Sequence, residues 1–180
     1  DMPKIKDHWI KENIKFDAIY TGYLGSTKQI DYVSAFFHET GKAACIKIVD
    51  PAMADNGKLY PGFDNDFVQA MKKLCGEADY LVPNISEACF LTDTEFKTEY
   101  SRDYIDALIS KMVALGAKNI ILTGVSYEKG KTGVVVFENG TYSYYEHEQI
   151  AGGCHGTGDV YASAFTGALL KGKDAYTSAK

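Results

Sequence analysis

Late in the sequence, Gly156-Thr157-Gly158-Asp159 precedes a run with helical spacing. Glycines just before a helix let bare backbone N–H groups turn toward one point, and the helix start adds partial positive charge there. Such a turn favours an anion, most often a phosphate. An acid at that place repels the anion unless the acid has work to do. Accepting a proton from a hydroxyl that attacks phosphorus is such work, and Asp159 is placed for it. The plainer alternative is a helix cap, because Asp and Thr are common before helices. The wider stretch from Ala151 to Lys171 adds Gly152 and Gly153 to the turn.

A second group consists of oxygen donors: Asp50, Asp55, Asn84 and Glu87. Hard oxygen ligands beside a phosphate suit Mg²⁺, which keeps most of its waters and takes few protein contacts. Taken singly, Asp55-Asn56-Gly57 is a turn and Glu87 is an acid in the first turn of a helix. Taken with the anion-binding turn, they favour a metal–phosphate site. Tyr23 and Tyr60 sit near loops and could stack on a flat ring. Tyr20, Tyr142, Tyr144 and Tyr145 read as packing.

These groups need elements to hold them. Residues 4 to 14 read as a helix with Ile5, Trp9, Ile10 and Ile14 on one side. Phe16 to Tyr20 reads as a buried strand, followed by the loop Thr21 to Gly25 and a cap at Ser26. Ile30, Val33, Phe36 and Phe37 form the next helical face, with Gly41 as its stop. Ala43 to Val49 reads as a second buried strand ending at Asp50-Pro51, and 51 to 62 as a loop. A helix marked by Phe63, Phe67, Met71 and Leu74 leads to a strand from Asp79 to Val82, then to Pro83-Asn84 and a short helix. Ser101 caps a helix with Ile105, Leu108, Ile109, Met112 and Leu115 inward and Gly116 as stop. A strand from Asn119 to Leu122 ends at Thr123-Gly124. Thr132 to Phe137 and Thr141 to Tyr145 flank Asn139-Gly140, a strong hairpin signal. In the helix after the glycine turn, Val160, Ala164, Phe165, Ala168 and Leu169 share one face, and a last helix begins near Asp174.

Strands alternating with helices, then a hairpin, predict an α/β fold in three layers, αβα. Its central sheet is largely parallel with an antiparallel addition. Ligands in such sheets bind at the carboxyl ends of the strands, where the polar clusters lie. With neither linker nor internal repeat, residues 1–180 read as a single domain. The composition is that of an ordinary globular protein, 46% hydrophobic and 24% charged. A net charge of −5 without a basic run argues against nucleic acid as a partner. No apolar run reaches membrane-spanning length. Cys45, Cys75, Cys89 and Cys154 are scattered, suggesting neither a zinc site nor a disulfide framework, and the cytoplasm is the expected compartment.

With these residues in view, the chain resembles the pyridoxal kinases of the ribokinase-like superfamily. The segments that carry the match are 21–26 (TGYLGS), 50–60 (DPAMADNGKLY), 83–88 (PNISEA) and 156–159 (GTGD). The resemblance implies ATP-dependent phosphorylation of the 5′-hydroxyl of pyridoxal, pyridoxine or pyridoxamine, with ATP and Mg²⁺ bound and a homodimeric enzyme. It implies that Asp159 is the general base and that the Gly156, Thr157 and Gly158 amides form the anion hole. Asp55 and Glu87 would hold the metal, with Asn84 and Glu87 at the ATP phosphates. Tyr23 would lie by the vitamin ring, Tyr60 near the phosphates, and Thr123 and Gly124 by the nucleotide.

Val82 stands where relatives often carry threonine, and Ala52 and Ala54 where Val and Gly are usual. Family members also have a first βαβ portion and further elements at the other end. The chain is therefore expected to be a central and C-terminal part of a longer enzyme, poorly soluble and inactive alone. A hydroxymethylpyrimidine or phosphomethylpyrimidine kinase has the same fold and the same glycine turn. The segment Asp55 to Tyr60 leans toward pyridoxal kinase. A non-catalytic pyridoxal phosphate or nucleotide binder of this fold is disfavoured by intact Asp159 and Glu87.

Overall fold

The computed structural model describes residues 1–152 and 156–180. Gly153, Cys154 and His155, within the glycine-rich stretch, lie outside the described residues. In chain order the elements begin with α1 (Met2–Lys11), β1 (Phe16–Thr21), α2 (Thr27–Glu39), β2 (Gly41–Val49), β3 (Ala54–Asp55), β4 (Lys58–Leu59), α3 (Asn65–Cys75) and β5 (Tyr80–Leu81). They continue with α4 (Ile85–Leu91), α5 (Arg102–Ala114), β6 (Asn119–Val125), β7 (Lys131–Glu138), β8 (Thr141–Glu148), α6 (Thr157–Leu170) and α7 (Ala175–Ala179).

Successive strand side chains point to opposite faces, and apolar residues at both alternate positions require cover on both sides. Val49, Leu81, Ile120, Leu122 and Val135 enter one core with α2, α3, α4 and α5. Their neighbours Ile48, Val82, Ile121, Val134 and Val136 enter a second core against Ala162, Phe165 and Leu169 of α6 and Ala175 and Ala179 of α7. The six-stranded sheet runs β1-β2-β5-β6-β7-β8. Pairings from β1 to β6 are parallel, and β7 and β8 add an antiparallel hairpin. The three-layer αβα architecture expected from the sequence is therefore present. The hairpin turn has Asn139 at φ 51 and Gly140 at φ 79, the left-handed pair its two-residue loop requires.

Helix starts follow the expected chemistry. The side chains of Ser26, Asn84, Ser101 and Asp174 each accept a first-turn amide N–H. Asp64 does the same for α3, and Phe63 lies just before that helix, stacked on Phe67 at 3.9 Å.

Several details differ from the sequence reading. Helix α1 buries no residue, and Ile5, Ile10 and Ile14 are exposed. Thr40, not Gly41, ends α2: its hydroxyl donates to the Phe36 carbonyl at 2.8 Å. Gly41 opens β2, where a Cβ would come within 2.9 Å of Cys45 Cβ. The first half of β2 is exposed, and only Ile48 and Val49 are fully buried. Loop 51–62 contains a small antiparallel hairpin, β3 with β4. Leu115 caps α5 at the surface. Helix α6 turns Ala162, Phe165 and Leu169 inward, while Val160 is 71% exposed.

Candidate active site

The parallel strands β1, β2, β5 and β6 all end at the same edge of the sheet, and α6 begins above that edge. A cleft of about 600 Å³ opens there, lined among others by Tyr23, Asp55, Tyr60, Asn84, Glu87, Thr123 and the turn Gly156 to Asp159. Residues drawn from five separate segments thus meet in one place. Gly124 does not line this cleft. It borders two adjoining cavities, each of which shares Thr123 with the cleft.

Two features bring Asn84 and Thr123 together. The Thr123 N–H donates to the Pro83 carbonyl at 2.9 Å, and Asn84 and Thr123 form an isolated parallel bridge. The sheet pairing between β5 and β6 is thereby extended by a step, which carries both side chains to the cleft.

Glu87 is 3% exposed. Its Oε2 accepts the Asn84 N–H at 2.8 Å and its Oε1 accepts the Met53 N–H at 3.1 Å. Burial, then the charge of Asp50, pushes its carboxyl up to about 8 against those amides. Asn84 accepts the Glu87 N–H at 2.9 Å and donates from Nδ2 to the Ala54 carbonyl at 2.9 Å. The helix-start reading of Glu87 holds, because the pair forms a full capping box. Ser86 adds a brace, its hydroxyl accepting the Gly57 N–H at 2.9 Å. The β3–β4 hairpin is thus tied to α4, and it carries Asp55 to the cleft. Asp55 itself is exposed, and its oxygens accept the N–H and Nδ2 of Asn56.

Asp50 also lines the cleft and is buried. It accepts the Ala52 N–H at 3.1 Å, and burial first raises its carboxyl to about 6. The opposite wall is the start of α6. Gly156 adopts the left-handed conformation there, φ 85, and no side chain among the described residues caps the helix. The first amides of α6 are left for an acceptor that enters the cleft. Asp159 stands in that first turn and is exposed.

The lining thus gathers Asp50, Asp55, Glu87 and Asp159 and includes neither lysine nor arginine among the described residues. An acidic lining of this kind favours phosphates that arrive with a cation. Among the described residues no three His, Cys, Asp or Glu are spaced to hold a metal ion by themselves. Hard oxygens in small number fit Mg²⁺ that arrives with phosphate and retains water. Val82, the departure noted in the sequence, lines the cleft as an apolar group. Two residues that sequence reasoning left out of the site belong near it. Tyr161 lines the cleft, and the Tyr20 hydroxyl is buried near Asp50 and Asp159. Neither carries a motif signal, since each lies in an ordinary apolar element.

The sequence family described as phosphomethylpyrimidine kinase matches residues 7–180. A pyridoxal kinase of Dictyostelium discoideum is 26% identical over 135 residues, which is 73% of this chain and 42% of the relative. A Bacteroides thetaiotaomicron protein, provisionally described as a phosphomethylpyrimidine kinase and crystallised with pyridoxal, superposes with a TM-score of 0.92. It is 34% identical, across 99% of this chain and 64% of that one. Bacillus subtilis pyridoxal kinase, as an ADP complex, superposes with a TM-score of 0.80 at 26% identity, across 99% of this chain and 67% of that one. The chain spans less than half the length of the Dictyostelium relative.

Proposed function

The chain belongs to the phosphomethylpyrimidine kinase family and has the ribokinase-like fold of pyridoxal kinases, and from that premise we propose that it carries the catalytic part of an ATP-dependent kinase. The acceptor is the hydroxymethyl group of a substituted aromatic ring, with pyridoxal and the other B6 vitamers as the preferred reading. The observation that carries this is the pairing of a glycine-led helix start, which no described side chain caps, with an acid in its first turn, facing buried carboxylates across one cleft.

In this reading the acceptor oxygen attacks the γ-phosphorus of ATP, the bond from that phosphorus to the β-bridging oxygen breaks, and ADP leaves. Asp159 takes the hydroxyl proton as the oxygen becomes a nucleophile. The Gly156, Thr157 and Gly158 backbone faces the charge that develops on the transferring group. Asp55 and Glu87 would hold Mg²⁺, with Asn84 beside the phosphates. When bound, the cation would supply charge neutralisation between phosphates and carboxylates. Thr123 and Gly124 border the nucleotide, Tyr60 lies toward its phosphates, and the 60% exposed Tyr23 offers its ring to the acceptor.

Phosphorylation of hydroxymethylpyrimidine is the second reading, favoured by the family that matches nearly the whole chain. The Bacteroides structure joins the two, a protein described by the pyrimidine activity with pyridoxal bound. The deciding experiment is turnover of pyridoxal and of hydroxymethylpyrimidine by the full-length protein with MgATP. Preference for pyridoxal upholds the first reading, preference for the pyrimidine upholds the second, and turnover of neither overturns the kinase assignment.

A further inference from the structure

Tyr20 lies in β1 and packs its ring against the core beneath α6. Its hydroxyl is the unusual part. Oη is buried and has no hydrogen-bond partner among the described residues. Leaving a buried hydroxyl unpaired costs on the order of 1–3 kcal/mol, so such a group calls for an explanation. Two acceptors stand nearby, Asp50 at the end of the neighbouring strand and Asp159 on α6. Burial and then the charges of these two acids push the phenol's ionisation upward. The group therefore stays an O–H donor throughout the working range of pH.

Gly22 lies beside both Tyr20 and Asp159. A Cβ built on it would lie 3.1 Å from Asp159 Oδ1 and 3.2 Å from Tyr20 Oη. Both oxygens lie beside the same point, and a side chain at Gly22 would crowd each of them by a few tenths of an ångström. The acids differ in need. Asp50 already accepts the Ala52 N–H. Asp159 is exposed, and no hydrogen bond among the described residues holds its carboxylate. A base that must meet one proton in one direction loses rate when it is free to turn.

We propose that Tyr20 is a positioning residue whose hydroxyl donates to the Asp159 carboxylate and so fixes the oxygen that faces the acceptor alcohol. This rests on the phosphoryl-transfer reading above for its kinetic consequence, though the hydrogen bond itself can be tested without turnover. Tyr20 acts through Asp159 and touches no reacting atom.

The test uses the full-length protein with Tyr20→Phe, Asp159→Asn and the double variant. Tyr20→Phe is expected to lower kcat by about 10- to 100-fold. KM for ATP and for the acceptor should stay within about twofold. In the Asp159→Asn background the same substitution should cost nothing further, because the group it positions is gone. An equal loss in both backgrounds would make Tyr20 structural and overturn the proposal. A crystal structure of the full-length protein with MgADP and pyridoxal reads the contact directly, whether or not the variants fold. Tyr20 Oη within about 3 Å of an Asp159 oxygen upholds the proposal, and Oη beyond hydrogen-bond reach of both oxygens overturns it. Failure of the wild-type protein to phosphorylate either alcohol would count against the kinase reading alone, since the crystallographic distance still decides the role of Tyr20.

Discussion

Asn84 and Glu87 bind each other in both directions: the Asn84 N–H donates to Glu87 Oε2 at 2.8 Å, and the Glu87 N–H donates to Asn84 Oδ1 at 2.9 Å. The second oxygen of Glu87 reaches across to the Met53 N–H. One carboxylate therefore starts α4, anchors the segment that leads into β3, and lines the cleft. A polar group with three duties cannot be replaced without disturbing more than one of them.

Glu87→Gln should show this. Both Glu87 oxygens face amide N–H donors, and glutamine offers one oxygen and one NH₂. One donor then meets another, at a cost of about 1–3 kcal/mol in stability. The Mg²⁺ concentration for half-maximal activity should rise about 10-fold if Glu87 helps to hold the cation. Activity is titrated against Mg²⁺ at a temperature where both proteins are folded. Superimposable curves would leave Glu87 as a helix cap only.

Stability of the ligand-free protein should fall as pH rises. Glu87, through burial and then Asp50, holds its proton up to about 8, and Asp50, chiefly through burial, up to about 6. An unfolded carboxyl releases its proton near 4, so between these values the folded state binds more protons. Stability is then fully present below the unfolded value and is lost as pH rises through 6 for Asp50 and 8 for Glu87. The slope is at most about 1.4 kcal/mol per pH unit for each proton. Thermal midpoints in a metal chelator, measured from about pH 5 to 9, should decline, and Glu87→Gln should flatten the upper part of the curve. A midpoint that climbs across that range would show that neither acid is held protonated by the fold.

Much of this site could be read from the chain because punctuation marks the strand ends. Asp50-Pro51, Pro83-Asn84 and Thr123-Gly124 each follow an apolar run, and Asp50, Asn84 and Thr123 of these reach the cleft. Tyr20 could not be read in this way. Its hydroxyl lies near Asp50, just after β2, and Asp159 of α6, and local spacing says nothing of such long-range neighbours. The inward face of α6 was misplaced for another reason. Val160, Ala162, Ala164, Phe165, Ala168 and Leu169 wrap most of the helix, so periodicity does not choose a side. Packing chose it, by seating Phe165 edge-on against Tyr80 at 5.6 Å. Gly41 carried an ambiguous signal, since a glycine can stop a helix or allow a close approach, and here the crowding at Cys45 required the second.

Asp159→Asn should abolish most phosphoryl transfer and leave nucleotide binding in place. Asparagine keeps the shape and cannot take the proton, and loss of a general base typically costs about 10²–10⁴ in rate. The helix-start amides are backbone and remain. Single-turnover kinetics and ATP binding by calorimetry separate the two effects. A variant with wild-type kcat would remove Asp159 from the chemistry.

Two glycines should respond to alanine in opposite ways. Gly22 is held against Asp159 Oδ1 and Tyr20 Oη, at 3.1 and 3.2 Å from its notional Cβ. A methyl group there presses on the carboxylate that is asked to take the proton. Displacing a reacting group by about 1 Å can cost about 100-fold, and the crowding here asks for a few tenths of an ångström, so Gly22→Ala should lower kcat by a few-fold to about 10-fold in a folded protein. Gly167 sits on the exposed side of α6, and beyond its own helix backbone and chain neighbours no described residue comes within 4 Å of its notional Cβ. Alanine in that helical position should raise stability by about 0.5–1 kcal/mol through backbone entropy, with turnover unchanged. Thermal unfolding and turnover are measured for both variants side by side. Full activity in Gly22→Ala would show that the Asp159 carboxylate stands elsewhere in the working enzyme.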